Sequence, residues 1–212
     1  MIDLGTLGGY SVAYAVNDAD QVTGVSITAA GEQRAFLWQR GRMTDLGTLG
    51  GTYSSGVAIN NAGQVTGVST DAVGNDRGFL WQRGRMRDIG TLGGPYSYPQ
   101  AMNQHGEITG NSLIAEGLNH AFRWQRGAMT DLETLGNDYS IGEAINDAGD
   151  VAGMLNAAGA EFAFVSRRGE MIALTGSGGS PSGAFAINNP GSVVGWSGRV
   201  PSVRHATLWQ RR

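Results

Sequence analysis

The chain has 212 residues, no cysteine and a formal net charge of −3, which excludes disulfide scaffolds and thiolate metal sites and offers no concentrated positive field for nucleic acid. Charged residues are only 16% of the chain and glycine accounts for 35 positions, far above the usual ~7%; with no G-X-Y period, that much glycine means many tight turns. No run of ~18 apolar residues occurs, so no membrane-spanning helix is expected, and the opening "MIDLGTLGG" is not a signal peptide.

From the N-terminus, "MIDLG" (1–5) reads as a short strand, and a glycine-rich loop follows. The next strand covers Ser11–Asn17, a turn reverses the chain, and "QVTGVS" (21–26) is the strand after it. The loop "ITAAGEQ" leads to "RAFLWQ" (34–39), and "RGR" turns the chain into "MTDLG" (43–47). There the text starts again: "DLGTLGGTYSSGVAINNAGQVTGVS" (45–69) closely restates 3–26. The Asn that ends Ala-x-Asn stands at Asn17, Asn60, Asn103, Asn146 and Asn188, at spacings of 43, 43, 43 and 42. A glycine follows seven residues later each time, at Gly24, Gly67, Gly110, Gly153 and Gly195. Runs of five to seven β-branched and aromatic residues between glycine turns are strands, and a period in this range belongs to solenoids or propellers. Each repeat therefore holds strands A, B, C and D. The repeats are approximately 1–42, 43–85, 86–128, 129–170 and 171–212, within one domain spanning 1–212.

Strand A begins with a constant serine: Ser11, Ser54, Ser97, Ser140 and Ser182. Alternation places that serine, the compact residue two further on (Ala13, Gly56, Pro99, Gly142, Ala184) and the next alanine (Ala58 in the second copy) on one face. Val16, Ile59, Met102, Ile145 and Ile187 fall on the other. A small face against a large face suits strands crowded between identical neighbours, which makes A the innermost strand. The chain opens on a D strand and closes on a C strand, "HATLWQ" (205–210). Pairing these two would remove both raw edges. The expectation is an all-β fold: a five-bladed β-propeller with four antiparallel strands per blade, its N-terminal strand closing the last blade.

"AINNAGQVTG" (58–67) and "HAF" (120–122) resemble the bacterial HAF repeat, a probable extracellular repeat. The resemblance spans essentially the whole chain, although "HAF" is intact once and elsewhere reads "RAF", "RGF", "FAF" and "HAT". It implies a secreted or cell-surface bacterial protein and no established activity.

The five copies differ most in their B–C loops, such as "TDAVGND" and "LIAEGLN". In a meander those loops share an end with the D–A loops, and binding sites use loops that packing leaves free. The same end carries Tyr10, Tyr53, Tyr96 and Tyr139, each just before the constant serine. Aromatic faces with hydroxyl handles suit polar ligands. The candidate ligand-binding residues are these four tyrosines with Ser54 and Ser97. Competing structural readings are tyrosines packed on a neighbouring blade and serines bonded to loop backbone. Asp3, Asp45, Asp88 and Asp131 fit a loop-tying role, the Asn series fits turn capping, and Trp38, Trp81, Trp124 and Trp209 fit core between blades. A two-carboxylate mechanism would have to combine Glu143 with Asp71, Asp76 or Glu116. The expected function is a non-catalytic extracellular binding or scaffold module for carbohydrate or protein surfaces, with no cofactor, no metal and no nucleic acid or membrane partner, and a monomer. The alternatives are a glycan-active enzyme of the five-bladed class and a plain spacer.

Overall fold

The computed structural model describes residues 1–136, 139–157, 159–176, 181–199 and 203–211, and every regular element among them is a β-strand. The first repeat gives β1 (Gly8–Val16), β2 (Val22–Thr28), β3 (Gln33–Gln39) and β4 (Arg42–Asp45). The second gives β5 (Gly50–Ile59), β6 (Val65–Asp71), β7 (Asp76–Gln82) and β8 (Arg85–Asp88), and the third β9 (Gly93–Met102), β10 (Ile108–Ile114), β11 (Asn119–Gln125) and β12 (Ala128–Asp131). The fourth gives β13 (Tyr139–Ile145), β14 (Val151–Ala157), β15 (Ala160–Arg167) and β16 (Glu170–Leu174), and the fifth β17 (Ser182–Ile187), β18 (Val193–Arg199) and β19 (Val203–Trp209). Within a repeat, A pairs with B, B with C and C with D, all antiparallel. Hydrogen bonding gathers these meanders into three sheets. Repeats 1 and 2 join where Gln33 lies parallel to Tyr53, repeats 3 and 4 join where Asn119 lies parallel to Tyr139, and β17–β19 form the third sheet.

The turns explain the constant residues. At the A–B turn the Asn60 side chain accepts from the Ala62 and Gln64 backbone N–H groups, an Asx cap. The C–D turn puts Arg40 (φ 50°) and Gly41 (φ 76°) both in the left-handed region, the two-residue hairpin geometry that matches strand twist. Gly67 is glycine for a different reason. A Cβ there would run into the Ser55 carbonyl of the adjacent strand. The Asp series does tie down the loop: Asp3, Asp45, Asp88 and Asp131 each accept from the backbone N–H two residues on, at 2.6–2.9 Å.

Strand A departs from simple alternation. Its pairing with B slips by one residue in every repeat, between Ala13 and Ala15, Gly56 and Ala58, Gly142 and Ala144, and Ala184 and Ala186, with the third repeat slipping at Pro99. This β-bulge carries the side chains beyond it to the opposite face. Gly56 approaches Thr23 of the preceding repeat, and Ile59 packs with Ala35, Leu37 and Leu46 of that same repeat. Ala15 and Ala101 instead join the clusters formed with the repeat that follows. The constant alanine therefore does not share a face with the serine and the compact residue; the bulge exchanges it with the large apolar residue.

Each junction between repeats is apolar. Leu80 and Ile89 meet Ile108 and Phe122 between repeats 2 and 3, and Ala152, Ala163 and Val165 meet Ala184 and Val193 between repeats 4 and 5. Trp81, Trp124 and Trp209 pack at these clusters. Successive A strands lie against one another, β1 on β5, β5 on β9, β9 on β13 and β13 on β17, which agrees with A as the inner strand.

The expected closing strand is absent. Residues 1–7 form no strand, Met1 and Ile2 are exposed, and among the described residues β19 pairs only with β18. The physical reason lies in the D strand itself. Interior D strands are four or five residues long and are delivered to their C strand by a two-residue turn. Met1–Asp3 match the Met43–Asp45 part of that strand and are not joined to β19 by such a turn. With no turn to hold them against β19, they would bear the full entropy cost of ordering for a few bonds.

Candidate ligand-binding rim

The backbones of Tyr10, Tyr53 and Tyr96 are clamped while their rings stay partly open to solvent. Ser69 Oγ accepts from the Leu49 N–H at 3.0 Å and donates to the Tyr53 carbonyl at 3.0 Å. Ser112 does the same for Leu92 and Tyr96, and Ser26 for Leu7 and Tyr10. Tyr10, Tyr96 and Tyr139 are 58%, 37% and 36% exposed, and Tyr53 is half-buried. All four stand at the head of strand A beside the end of strand B, the end from which the B–C loops leave; Tyr139 pairs with Asn156, for example.

Ser54 and Ser97 are elsewhere in this arrangement. Both are fully buried. Ser54 Oγ donates to the Gly47 carbonyl at 2.6 Å and accepts the Ala35 N–H of the preceding repeat at 2.9 Å. Ser97 repeats this with Gly90 and Gly78. Their hydroxyls bolt one repeat to the next and do not face a ligand.

The structure adds a polar partner that the sequence reading missed. The first residue of the strand C register, five before the Trp slot, reads Gln33, Asp76, Asn119, Glu161 and Arg204. The parallel steps bring Gln33 beside Tyr53 and Asn119 beside Tyr139 of the next repeat. Asp76 accepts the Tyr98 hydroxyl at 3.0 Å, and Tyr98 stacks on Tyr96 with ring centroids 6.4 Å apart. Burial, that hydrogen bond and the Asp76 charge push the Tyr98 phenol up to about 12. Burial raises the Tyr139 phenol too, helped by the charges of Glu143 and Glu161. Arg204 lies 3.9 Å over the Trp196 ring and 3.8 Å from Glu161. An aromatic present in four repeats, with Pro181 in the fifth, beside a slot that is always polar and never the same was the available signal.

Among the carboxylates, Glu143 has its pKa raised by burial. Asp71 pays a desolvation cost, but the Asn75 and Val73 backbone N–H groups outweigh it and lower its pKa. It caps its own loop, as Asp76 is committed to Tyr98. Among the described residues no three His, Asp or Glu side chains come together as a metal site. At the opposite end, a cavity of about 450 Å³ lined by Leu80, Arg87, Asp88, Trp124 and Arg126 opens beside the C–D turns. Trp124 Nε1 is buried without a hydrogen-bond partner, so that cavity is a competing location.

No protein-family model matches the chain, and no curated protein matches it by sequence. Solved structures do resemble it in fold. A protein provisionally described as a gluconolactonase is 14% identical, with a TM-score of 0.51 covering 96% of this chain and 76% of that one. TolB from Acinetobacter baumannii is 13% identical, with a TM-score of 0.56 covering 89% of this chain and 52% of that one, so the chain spans about half of TolB. The likeness is one of fold alone: all-β and propeller-like.

Proposed function

We propose that the five repeats are five propeller-type blades of the HAF kind, working outside the cell as a non-catalytic module that binds saccharide through the tyrosine rim. The observation that carries this is the row of rim tyrosines set beside polar side chains that change between repeats, Gln33 at Tyr53 and Asn119 at Tyr139, with Asp76 bonded to Tyr98. Rigid aromatic faces contribute contact area at low entropic cost, and the polar partner selects hydroxyl patterns. Binding is favoured over hydrolysis because Asp71 and Asp76, two of the three carboxylates that could serve Glu143, are already engaged in capping and in the Tyr98 bond.

A glycan array on the purified chain, followed by calorimetry on any hit, tests this. Replacing Tyr96 and Tyr139 together by Ala removes two stacking faces at about 1 kcal/mol each, so affinity should fall roughly 30-fold while the fold stays intact. Unchanged affinity in that variant, or loss of binding in Trp124→Phe instead, would move the site to the C–D end. Turnover of a bound glycan would favour the enzymatic alternative.

A further inference from the structure

The two ends of the array are loose in complementary ways. Each interior junction is made by the same three links. The A-strand serine accepts a C-strand N–H from the preceding repeat: Ser54 from Ala35, Ser97 from Gly78, Ser140 from Ala121 and Ser182 from Ala163, at 2.8–3.0 Å. The turn asparagine donates Nδ2 to the next repeat's asparagine carbonyl: Asn17 to Asn60, Asn60 to Asn103, Asn103 to Asn146 and Asn146 to Asn188. The backbone N–H one residue later donates to the next repeat's turn side chain: Asp18 to Asn61, Asn61 to Gln104, Gln104 to Asp147 and Asp147 to Asn189.

Among the described residues, Ala206 N–H, Asn188 Nδ2 and Asn189 N–H stand in the donor places of this junction without its acceptors. Ser11 Oγ, the Asn17 carbonyl and the Asp18 carboxylate stand in its acceptor places without its donors, and keep only their bonds to Gly5, Asp20 and Asn61. The apolar surfaces match in the same way. Leu208 is 54% exposed where Leu37, Leu80 and Val165 are 3%, 4% and 1%. Val194 is 45% exposed where Thr23, Thr66, Thr109 and Ala152 are fully buried, and Val16 is 63% exposed where Ile59 and Ile145 are 9%. Exposed apolar patches rimmed by polar groups mark association sites.

We propose that the last repeat of one chain docks on the first repeat of a second copy, head to tail, through a fifth junction of the same kind. The two faces left without this junction are complementary to one another, and a second copy carries the matching face. Such a heterologous contact builds short open arrays or a larger ring. The expectation from the sequence is a monomer.

The test is sedimentation velocity over a wide concentration range with Val16→Glu and Leu208→Glu. Both side chains are exposed, and circular dichroism at low concentration checks that each variant folds. The unmodified chain should shift with concentration from its 22.2 kDa mass to twice that and beyond. Each variant alone has one blocked end of every pair and should stay monomeric. Mixed, V16E still offers its last repeat and L208E its first, so the mixture should form a dimer and stop there. An unmodified chain that is monomeric throughout overturns the proposal and points to closure within one chain. Variants that associate like the unmodified chain, or a mixture that stays monomeric, overturn it as well.

Discussion

Asn103→Ala against Asn188→Ala compares a turn asparagine that joins two repeats with one that makes no such link among the described residues. The Asn103 side chain is 4% exposed. It accepts from the His105 and Glu107 N–H groups at 3.0 Å, and it donates to Glu107 Oε2 at 2.8 Å and to the Asn146 carbonyl at 2.9 Å. Four bonds at about 1 kcal/mol net each, in a site with little access for water, put the loss at about 3–4 kcal/mol. Asn188 is exposed and its side chain accepts only the Ser192 N–H, at 2.8 Å, so its loss is about 1 kcal/mol. The melting temperatures of dilute samples should differ by about 4–12 °C, with urea midpoints ordered alike. Asn103→Asp keeps the acceptors but sets a carboxylate against Glu107 and the Asn146 carbonyl, and should be at least as damaging as alanine. Equal losses from Asn103→Ala and Asn188→Ala would refute a stabilising role for the asparagine series.

Three further outcomes follow from single contacts. A Cβ on Gly142 would meet the Thr109 hydroxyl, so Gly142→Ala should cost about 1–3 kcal/mol by overpacking, and Thr109→Ala should restore most of it, as at the Ala152–Ala184 junction; additive losses in a double-mutant cycle would contradict this. Because the Tyr98 phenol is raised from 10.0 to about 12, its contribution to stability is complete below pH 10 and is lost as pH rises to about 12; Tyr98→Phe should melt with a shallower pH dependence across that window, and a phenolate absorbance step near pH 12 should vanish. Glu143, raised by burial above 4.5, contributes below that pH and loses its contribution as pH rises through its raised value. Glu143→Gln should therefore melt above the unmodified chain at neutral pH, with the gap closing in acid. An unchanged gap would mean the carboxyl is not desolvated.

The repeat, its four strands, the asparagine caps and the aspartate ties were legible because each leaves a residue type at a fixed spacing. The bulge was not. Its extra position holds Tyr14, Val57, Gln100, Glu143 and Phe185, which have no chemistry in common, so strict alternation was the natural reading and it misplaced Ala58 and Ile59. The serines were assigned to the rim because they follow the tyrosines; only the third dimension shows Ser54 and Ser97 turned toward the preceding repeat. Ring closure failed for a more general reason. A period fixes how many repeats there are, while the angle between them comes from small differences in side-chain volume at each junction, and sequence spacing does not encode that angle. Gln33, Asp76 and Asn119 escaped notice because they lie one strand away from the tyrosines they meet.

The central claim, a serial array of equivalent junctions with both ends open, is tested most directly by amide hydrogen exchange at the C-strand N–H that each following serine caps. In dilute solution Ala35, Gly78, Ala121 and Ala163 should be protected to the level of the whole fold, and Ala206 should exchange rapidly, gaining protection only as concentration rises. Ala206 protected like the other four at every concentration would contradict the account and show the first and last repeats of one chain joined.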